Sequence, residues 1–96
     1  MTLTGADRVD AYRTRHPEAS AGLDRWRRVV KQTVFRSTLD LKRTFAKSYD
    51  YVPPHCHVFD IAHGRHRLIA QIDFPTQIVS VEELLDHKRY DRWKCL

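Results

Sequence analysis

The chain has 96 residues, of which 17 are Lys or Arg and 12 are Asp or Glu, so its formal net charge is +5. This length predicts one domain over residues 1–96, and a composition of 42% hydrophobic and 30% charged residues excludes a disordered chain. No apolar run approaches the ~20 residues that cross a bilayer, and Met1–Asp10 lacks the apolar segment of a secretory signal, so we expect a cytoplasmic protein. Its charge favours an anionic partner, such as nucleic acid, a ribosome, an acidic protein or a membrane surface.

Apolar residues recur at helical spacing in the first half of the chain, which predicts helices there. Val9, Tyr12 and His16 share one face of a first helical segment, which Pro17 ends or interrupts. A second helix follows, and its buried stripe has a spacing of three to four residues: Leu23, Trp26, Val30 and Val34.

A third, short helix is predicted after Ser37–Thr38, where a hydroxyl group can cap the helix and Asp40 lies in its positive first turn. Leu41 and Phe45 would fix this helix to the core. The segment Asp50–Pro54 then excludes helix, because it contains two consecutive prolines.

Three strand-like runs fill the second half: His57–Ile61, His66–Phe74 and Ile78–Leu84. Their short connections, one with Gly64 and one at Pro75–Gln77, imply an antiparallel meander. The predicted fold class is therefore α+β, with N-terminal helices packed on a small antiparallel curled sheet.

Basic and imidazole side chains form two sets in this half of the chain. The first set follows the first connection: His63, Arg65, His66 and Arg67. The second set follows the third strand: His87, Lys88, Arg89 and Tyr90. In a three-strand meander the start of the second strand lies beside the end of the third, so we expect the two sets to meet at one edge.

These residue types suit cleavage of RNA by its own 2′-hydroxyl, a reaction that requires no metal ion. It requires a base for the hydroxyl proton, a cation for the charge that builds on the phosphate, and an acid for the departing 5′-oxygen. Histidine suits proton transfer because its reference pKa is about 6.5. Arginine suits the phosphate because its planar fork stays charged, and tyrosine can stack on a base.

Spacing alone leaves plainer alternatives open. Arg67 can be a solvated residue on the polar face of a strand, and His87 can be a surface histidine. His66 alternates with Arg67, so it faces the apolar side and can be a hydrogen-bonded core histidine. Tyr90 and Trp93 can simply pack to fix the end of the chain.

The two cysteines, Cys56 and Cys95, are far apart and outside C-x-x-C spacing, so we interpret both as free thiols. A zinc site is the competing chemistry, and its candidate ligands are His55, Cys56, His57, His63, His66 and Cys95. Their spacing repeats no known zinc pattern of two close pairs, so we predict no metal ion and no other cofactor.

The second half of the chain resembles the HigB family of bacterial toxin–antitoxin systems, a branch of the RelE-like group. The family's F-N-I run reads Phe59–Ile61 here, and after Ala62–Arg65 its Y-R-L-V run reads His66–Ile69. Gln77–Val79 is similar to its Q-I-V strand start, and Asp86–Asp91 to its closing T-H-x-x-Y-D.

The first half adds to the resemblance, which spans roughly Val9 to Trp93. Arg15–Ala19 resembles the family's R-H-P-D/E-A, and further positions have similar residues: Leu23, Trp26, Lys42 and Phe45. The family usually opens with an apolar strand, whereas this chain offers only Leu3 there, so we expect a first strand to be short or frayed.

The resemblance implies a RelE-like fold and an endoribonuclease that cleaves mRNA, typically in the ribosomal decoding site. It also implies a cognate HigA-like antitoxin with a helix-turn-helix region, with DNA contacted only through that antitoxin and no membrane partner. The catalytic residues would be Arg67 for the phosphate, His87 for proton transfer or phosphate contact, and Tyr90 for support or stacking. The RNA-binding residues would be Arg65, Lys88, Arg89 and His66.

Departures from the family pattern leave a second functional class open. The family's aromatic residue before the core arginine is His66 here, and its Gly-Thr before the tail histidine is Leu85-Asp86. The alternative is a non-catalytic toxin or binding module that acts on DNA gyrase or on RNA without cleaving it.

Overall fold

The computed structural model describes residues 1–96. Its helices and strands are, in chain order, β1 (Thr2–Thr4), α1 (Ala6–Arg15), α2 (Ser20–Gln32), α3 (Thr38–Phe45), β2 (Tyr49–Val52), β3 (Cys56–Ile61), β4 (His66–Asp73), β5 (Ile78–Asp86) and α4 (His87–Tyr90). Single 3₁₀ turns at Pro17–Ala19 and Ala46–Ser48 precede α2 and follow α3. The predicted α+β class is confirmed. None of the helices has the length and apolar character that crossing a bilayer requires.

All five strands form one mixed sheet in the order β1-β5-β4-β3-β2. Strands β2 to β5 pair as an antiparallel meander, so the three predicted strands are neighbours as expected. β1 instead runs parallel to β5, with Leu3 opposite Val79, and the sheet is therefore not purely antiparallel. The N-terminal ammonium holds this short strand in place, because it donates hydrogen bonds to the carbonyls of Val30 and Thr33, each at 2.9 Å.

The strand β2 lies partly within the segment that the two prolines mark as a break. It pairs with β3, with Tyr49 opposite Phe59 and Val52 opposite Cys56. The prolines fall directly after it, in the turn that leads to β3. They exclude helix as predicted, but an edge strand can end at a proline without losing a hydrogen bond.

The larger core cluster contains 15 buried residues from α1, α2, α3 and the sheet. α2 contributes three of the four residues predicted for its stripe: Leu23, Trp26 and Val30. Val34 was predicted to belong to the same stripe, but it is 68% exposed. α2 ends at Gln32, so the chain is extended beyond it and Phe35 is buried instead.

A smaller core cluster lies on the other face of the sheet, under the C-terminal tail (Asp91–Leu96). Its buried members are Cys56, Val58, Ile69 and Leu85, with Tyr90, Trp93 and Cys95 packed against them. Cys56 and Cys95 form a disulfide, with their Cα atoms 6.0 Å apart and a sequence separation of 39. The interpretation of both cysteines as free thiols is therefore wrong. It rested on sequence spacing, and the tail folds back across the sheet.

Candidate active site

The two basic sets come together at one end of the inner strands β4 and β5, where β4 begins and β5 ends. This end of the sheet is its basic edge. β4 and β5 pair so that His66 faces Asp86 and Arg67 faces Leu85. The backbone N–H of His87 donates a hydrogen bond of 2.9 Å to the carbonyl of Arg65. The start of β4 and the start of α4 are thus directly linked, as the meander predicted.

Arg67 is the most firmly held cation at this edge. Its Nε lies 3.0 Å from Oδ1 of Asp60, which is its cross-strand neighbour, and its Nη1 donates to the carbonyl of Gly64. Its guanidinium carbon stands 5.0 Å from the ring centroid of Tyr90, a cation–π contact. With 20% of its side chain exposed, Arg67 is fixed in orientation while Nη2 makes no hydrogen bond within the protein.

The turn between β3 and β4 lies against this guanidinium. Ala62, His63 and Gly64 all have positive φ angles, of 53°, 58° and 84°. A Cβ atom at Gly64 would make ordinary van der Waals contact with Nη1 of Arg67, 3.4 Å away. Glycine therefore suits this position because of the left-handed backbone of the turn.

The short helix α4 displays three exposed basic side chains: His87, Lys88 and Arg89. Asp86 caps this helix, and its carboxylate accepts a hydrogen bond of 2.8 Å from the backbone N–H of Arg89. That hydrogen bond is the largest cause of the lowered pKa of Asp86, with the charge of Arg89 acting in the same direction. The carboxylate thus remains ionised and the start of α4 is held in place.

Tyr90 joins the arginine to the C-terminal tail. Its ring stacks on Trp93 with centroids 5.5 Å apart and planes 19° apart. Burial raises the pKa of its phenol, and the charge of Asp50 acts in the same direction. The hydroxyl is therefore a proton donor, not an anion, at neutral pH.

His66 lies on the opposite face of the sheet from Arg67, because neighbouring residues of a strand alternate. It is 5% exposed, and its Nδ1 is 2.5 Å from the hydroxyl of Tyr12. So little exposed surface does not suit the predicted RNA-binding role. Its place agrees with the alternative of a hydrogen-bonded core histidine.

A groove of about 570 Å³ adjoins the site on the side of the helices. Its apolar walls include Trp26 and Phe45, and Arg25 and Lys47 contribute positive charge. Asp60, His63 and Gly64 also line the groove. Two of these, Asp60 and Gly64, are hydrogen-bonding partners of Arg67, so the groove adjoins the arginine.

The set of candidate zinc ligands around Cys56 is only partly assembled. His55, Cys56 and Cys95 have potential ligand atoms within 4.8 Å of one another. The two sulfurs are joined to each other, however, and are not available as thiolates.

The sequence-based reasoning missed Asp60 as the partner of Arg67. The signal was present, because a short connection between two strands places residues at equal distance from the turn opposite each other. Asp60 and Arg67 carry opposite charges at such positions.

Comparison with known proteins identifies the family to which this fold belongs. Residues 19–93 match the family model HigB toxin, described as the RelE-like toxic component of a toxin–antitoxin system. The match covers more than half of the chain, so this protein belongs to the HigB toxin family. No curated protein matched the chain.

Proposed function

We propose that this toxin is an endoribonuclease that cleaves mRNA, on the ribosome and in the cytoplasm, and so inhibits translation. Residues 1–96 form its single RelE-like domain, and a cognate HigA-like antitoxin with a helix-turn-helix region neutralises it. The observation that carries the proposal is the position of Arg67, which Asp60 and Tyr90 hold in a fixed orientation. Tyr90 belongs to α4, the helix whose other side chains are exposed bases.

Arg67 stabilises the charge on the phosphate in the transition state. Asp60 and the Gly64 carbonyl engage Nε and Nη1 of its guanidinium, which leaves Nη2 for a phosphate oxygen. A cation fixed before the reaction costs no reorganisation when the charge develops, and such stabilisation is often the largest contribution to catalysis.

His87 transfers the proton in this mechanism. The RNA 2′-oxygen forms a bond to phosphorus and gives up its proton, while the bond from phosphorus to the 5′-oxygen breaks and that oxygen gains a proton. The exposed imidazole of His87 at the start of α4 can serve either transfer. Tyr90 supports Arg67 or stacks on a base, and Arg65, Lys88 and Arg89 hold the RNA backbone.

Two alanine substitutions test this assignment. We expect Arg67→Ala and His87→Ala to relieve the growth arrest caused by expression and to lower mRNA cleavage on ribosomes by roughly 100-fold or more. Arg28→Ala and His55→Ala are the matched controls, because both side chains are exposed and outside the site. If both site variants fold, judged by circular dichroism, and stay as toxic as the parent, the site assignment is wrong.

Primer extension on mRNA from induced cells separates cleavage from the non-catalytic alternative. New 5′ ends within coding regions, absent for Arg67→Ala, support the endoribonuclease. Intact mRNA with stalled DNA replication would instead support action on gyrase.

A further inference from the structure

A second cluster of reactive side chains lies on the face of the sheet opposite Arg67. It comprises His16, Glu18 and His66, whose potential ligand atoms all lie within 4.8 Å of one another. Oε1 of Glu18 is 3.5 Å from Nδ1 of His16 and 3.7 Å from Nε2 of His66. The proposed cleavage of RNA uses none of these three side chains.

These separations are close to those of ligands around a zinc ion. Zinc binds histidine nitrogen and carboxylate oxygen at about 2.0–2.1 Å in tetrahedral geometry, so two ligand atoms on one ion lie roughly 3.3–3.5 Å apart. The separations from Glu18 to the two imidazoles exceed this range by at most a few tenths of an ångström. The nitrogens of His16 and His66 lie within 4.8 Å of each other, and the exposed Glu18 and half-buried His16 side chains can move to close on an ion.

The buried histidine is already oriented as a ligand. The hydroxyl of Tyr12 lies 2.5 Å from Nδ1 of His66, which leaves Nε2 directed to Glu18. Histidines that bind metal ions almost always use their second nitrogen for such a hydrogen bond.

The other two ligands come from one short turn. Pro17 begins the 3₁₀ turn between α1 and α2, with His16 directly before it and Glu18 within it. His16 is further fixed by stacking on Tyr12, with ring centroids 4.3 Å apart. The Arg15–Ala19 motif therefore supplies two ligands from one constrained piece of backbone.

We propose that His16, Glu18 and His66 form a binding site for a divalent transition metal ion, with Zn²⁺ as the best match. Two imidazoles and one carboxylate are a ligand set that zinc uses when it keeps one position open. Tyr12 and His16 also line a cavity of about 350 Å³, and a water molecule fills the open position of such a ligand set. The same cavity is lined by Asp86, Arg15 and Arg89, so charges of both signs surround it.

The bound ion would join the turn between α1 and α2 to the first residue of β4. Because these ligands are brought together only by folding, the ion binds the folded chain and raises its stability. The ion is a structural brace in this proposal, and its three ligands take no part in the proposed cleavage, although Arg89 lines the adjoining cavity.

The test measures zinc-dependent stability and zinc affinity in the oxidised protein, with the disulfide intact. We expect one equivalent of Zn²⁺ to raise the melting temperature of the parent and to bind in isothermal titration calorimetry. His16→Gln and Glu18→Gln should weaken zinc binding at least about tenfold, while the matched control His55→Gln should behave as the parent. The readout is the shift caused by zinc, so any small change in basal stability does not affect it.

Three results would overturn the proposal. They are no zinc-dependent shift in the parent, an undiminished shift in both His16→Gln and Glu18→Gln, or loss of the shift in His55→Gln. Cobalt substitution adds a spectroscopic check, in which Co²⁺ should show visible bands of a four-coordinate ion without thiolate charge transfer. A thiolate band would place the ion at the cysteines instead. Toxicity of Arg67→Ala reports on the cleavage site alone, so the two proposals fail independently.

Discussion

His57 is one of two buried polar residues in the protein, and it lies on the face of β3 that contains the larger core cluster. Its Nδ1 is 2.7 Å from the hydroxyl of Tyr49, and the ring of Phe74 approaches it edge-on with centroids 5.9 Å apart. Burial lowers its pKa from 6.5 to about 4, and the charge of His55 adds to the effect. The folded protein therefore holds His57 in its neutral form.

This lowered pKa predicts that stability falls in acid. A group whose pKa is lower in the folded state contributes stability above its unfolded pKa, here 6.5, and loses it as pH falls towards 4. We expect the parent to lose about 2 kcal/mol from this group between pH 7 and pH 5, measured by urea unfolding. His57→Gln should lose correspondingly less over the same interval. Equal losses in both proteins would contradict a neutral, buried His57.

Alternation along the predicted strands was sufficient to place individual residues on the two faces of the sheet. It placed Arg67 on the face opposite Leu68 and predicted that His66 faces the apolar side. It did not predict the contact between Arg67 and Tyr90, because that contact depends on how α4 turns after β5. Nor could it show that Glu18 approaches His66, since their segments are far apart in sequence.

Among the elements, the longer ones were predicted best. α2, β3, β4 and β5 were found within a few residues of their observed ends. The strands β1 and β2 at the two edges of the sheet have only 3 and 4 residues, which is too short for a hydrophobic period to appear. The positions of β1 and β2 depend on their pairing with β5 and β3. The residues within each short strand do not show this pairing.

The C-terminal tail is held by both packing and covalent structure. The disulfide closes a loop of 39 residues in sequence separation, for which the loss of chain entropy in the unfolded state corresponds to about 4 kcal/mol. We expect Cys95→Ser, or the parent in reductant, to unfold at a lower guanidinium concentration. The free energy of unfolding should be smaller by up to about 4 kcal/mol. Identical unfolding midpoints with and without reductant would show that the two cysteines are not joined in solution.

Over the whole molecule, exposed basic side chains lie both on α1 and α2 and on α4. On α1 and α2, Arg27 and Arg13 are paired with Asp10 and Asp24 at 3.2 Å and 2.8 Å, whereas the exposed Arg28 and Lys31 form no ion pair. The bases of α4 likewise form no ion pair with an acidic side chain. An anion can therefore bind at either surface, and the proposed cleavage requires binding at α4.

This distribution predicts how RNA binding depends on salt. Each phosphate neutralised on single-stranded RNA contributes about 0.7 to the slope of log affinity against log salt concentration. We expect the double variant Lys88→Ala and Arg89→Ala to reduce that slope by about 1.4, measured by fluorescence anisotropy. The matched pair Arg28→Ala and Lys31→Ala, exposed on α2 and outside the groove, should leave it unchanged. A larger effect of the second pair would place the RNA on the helices.

The strand order determines how late during synthesis the basic edge of the toxin can form. β5 lies between β1 and β4, so the inner position of the sheet is filled by the last strand to be translated. Thr2 pairs with Ile78, so a nascent chain that ends before Ile78 can form neither the pairing of β1 with β5 nor α4. Such distant pairing is slow to form because a long loop must close first. Most of the polypeptide has thus been synthesised before the basic edge can form.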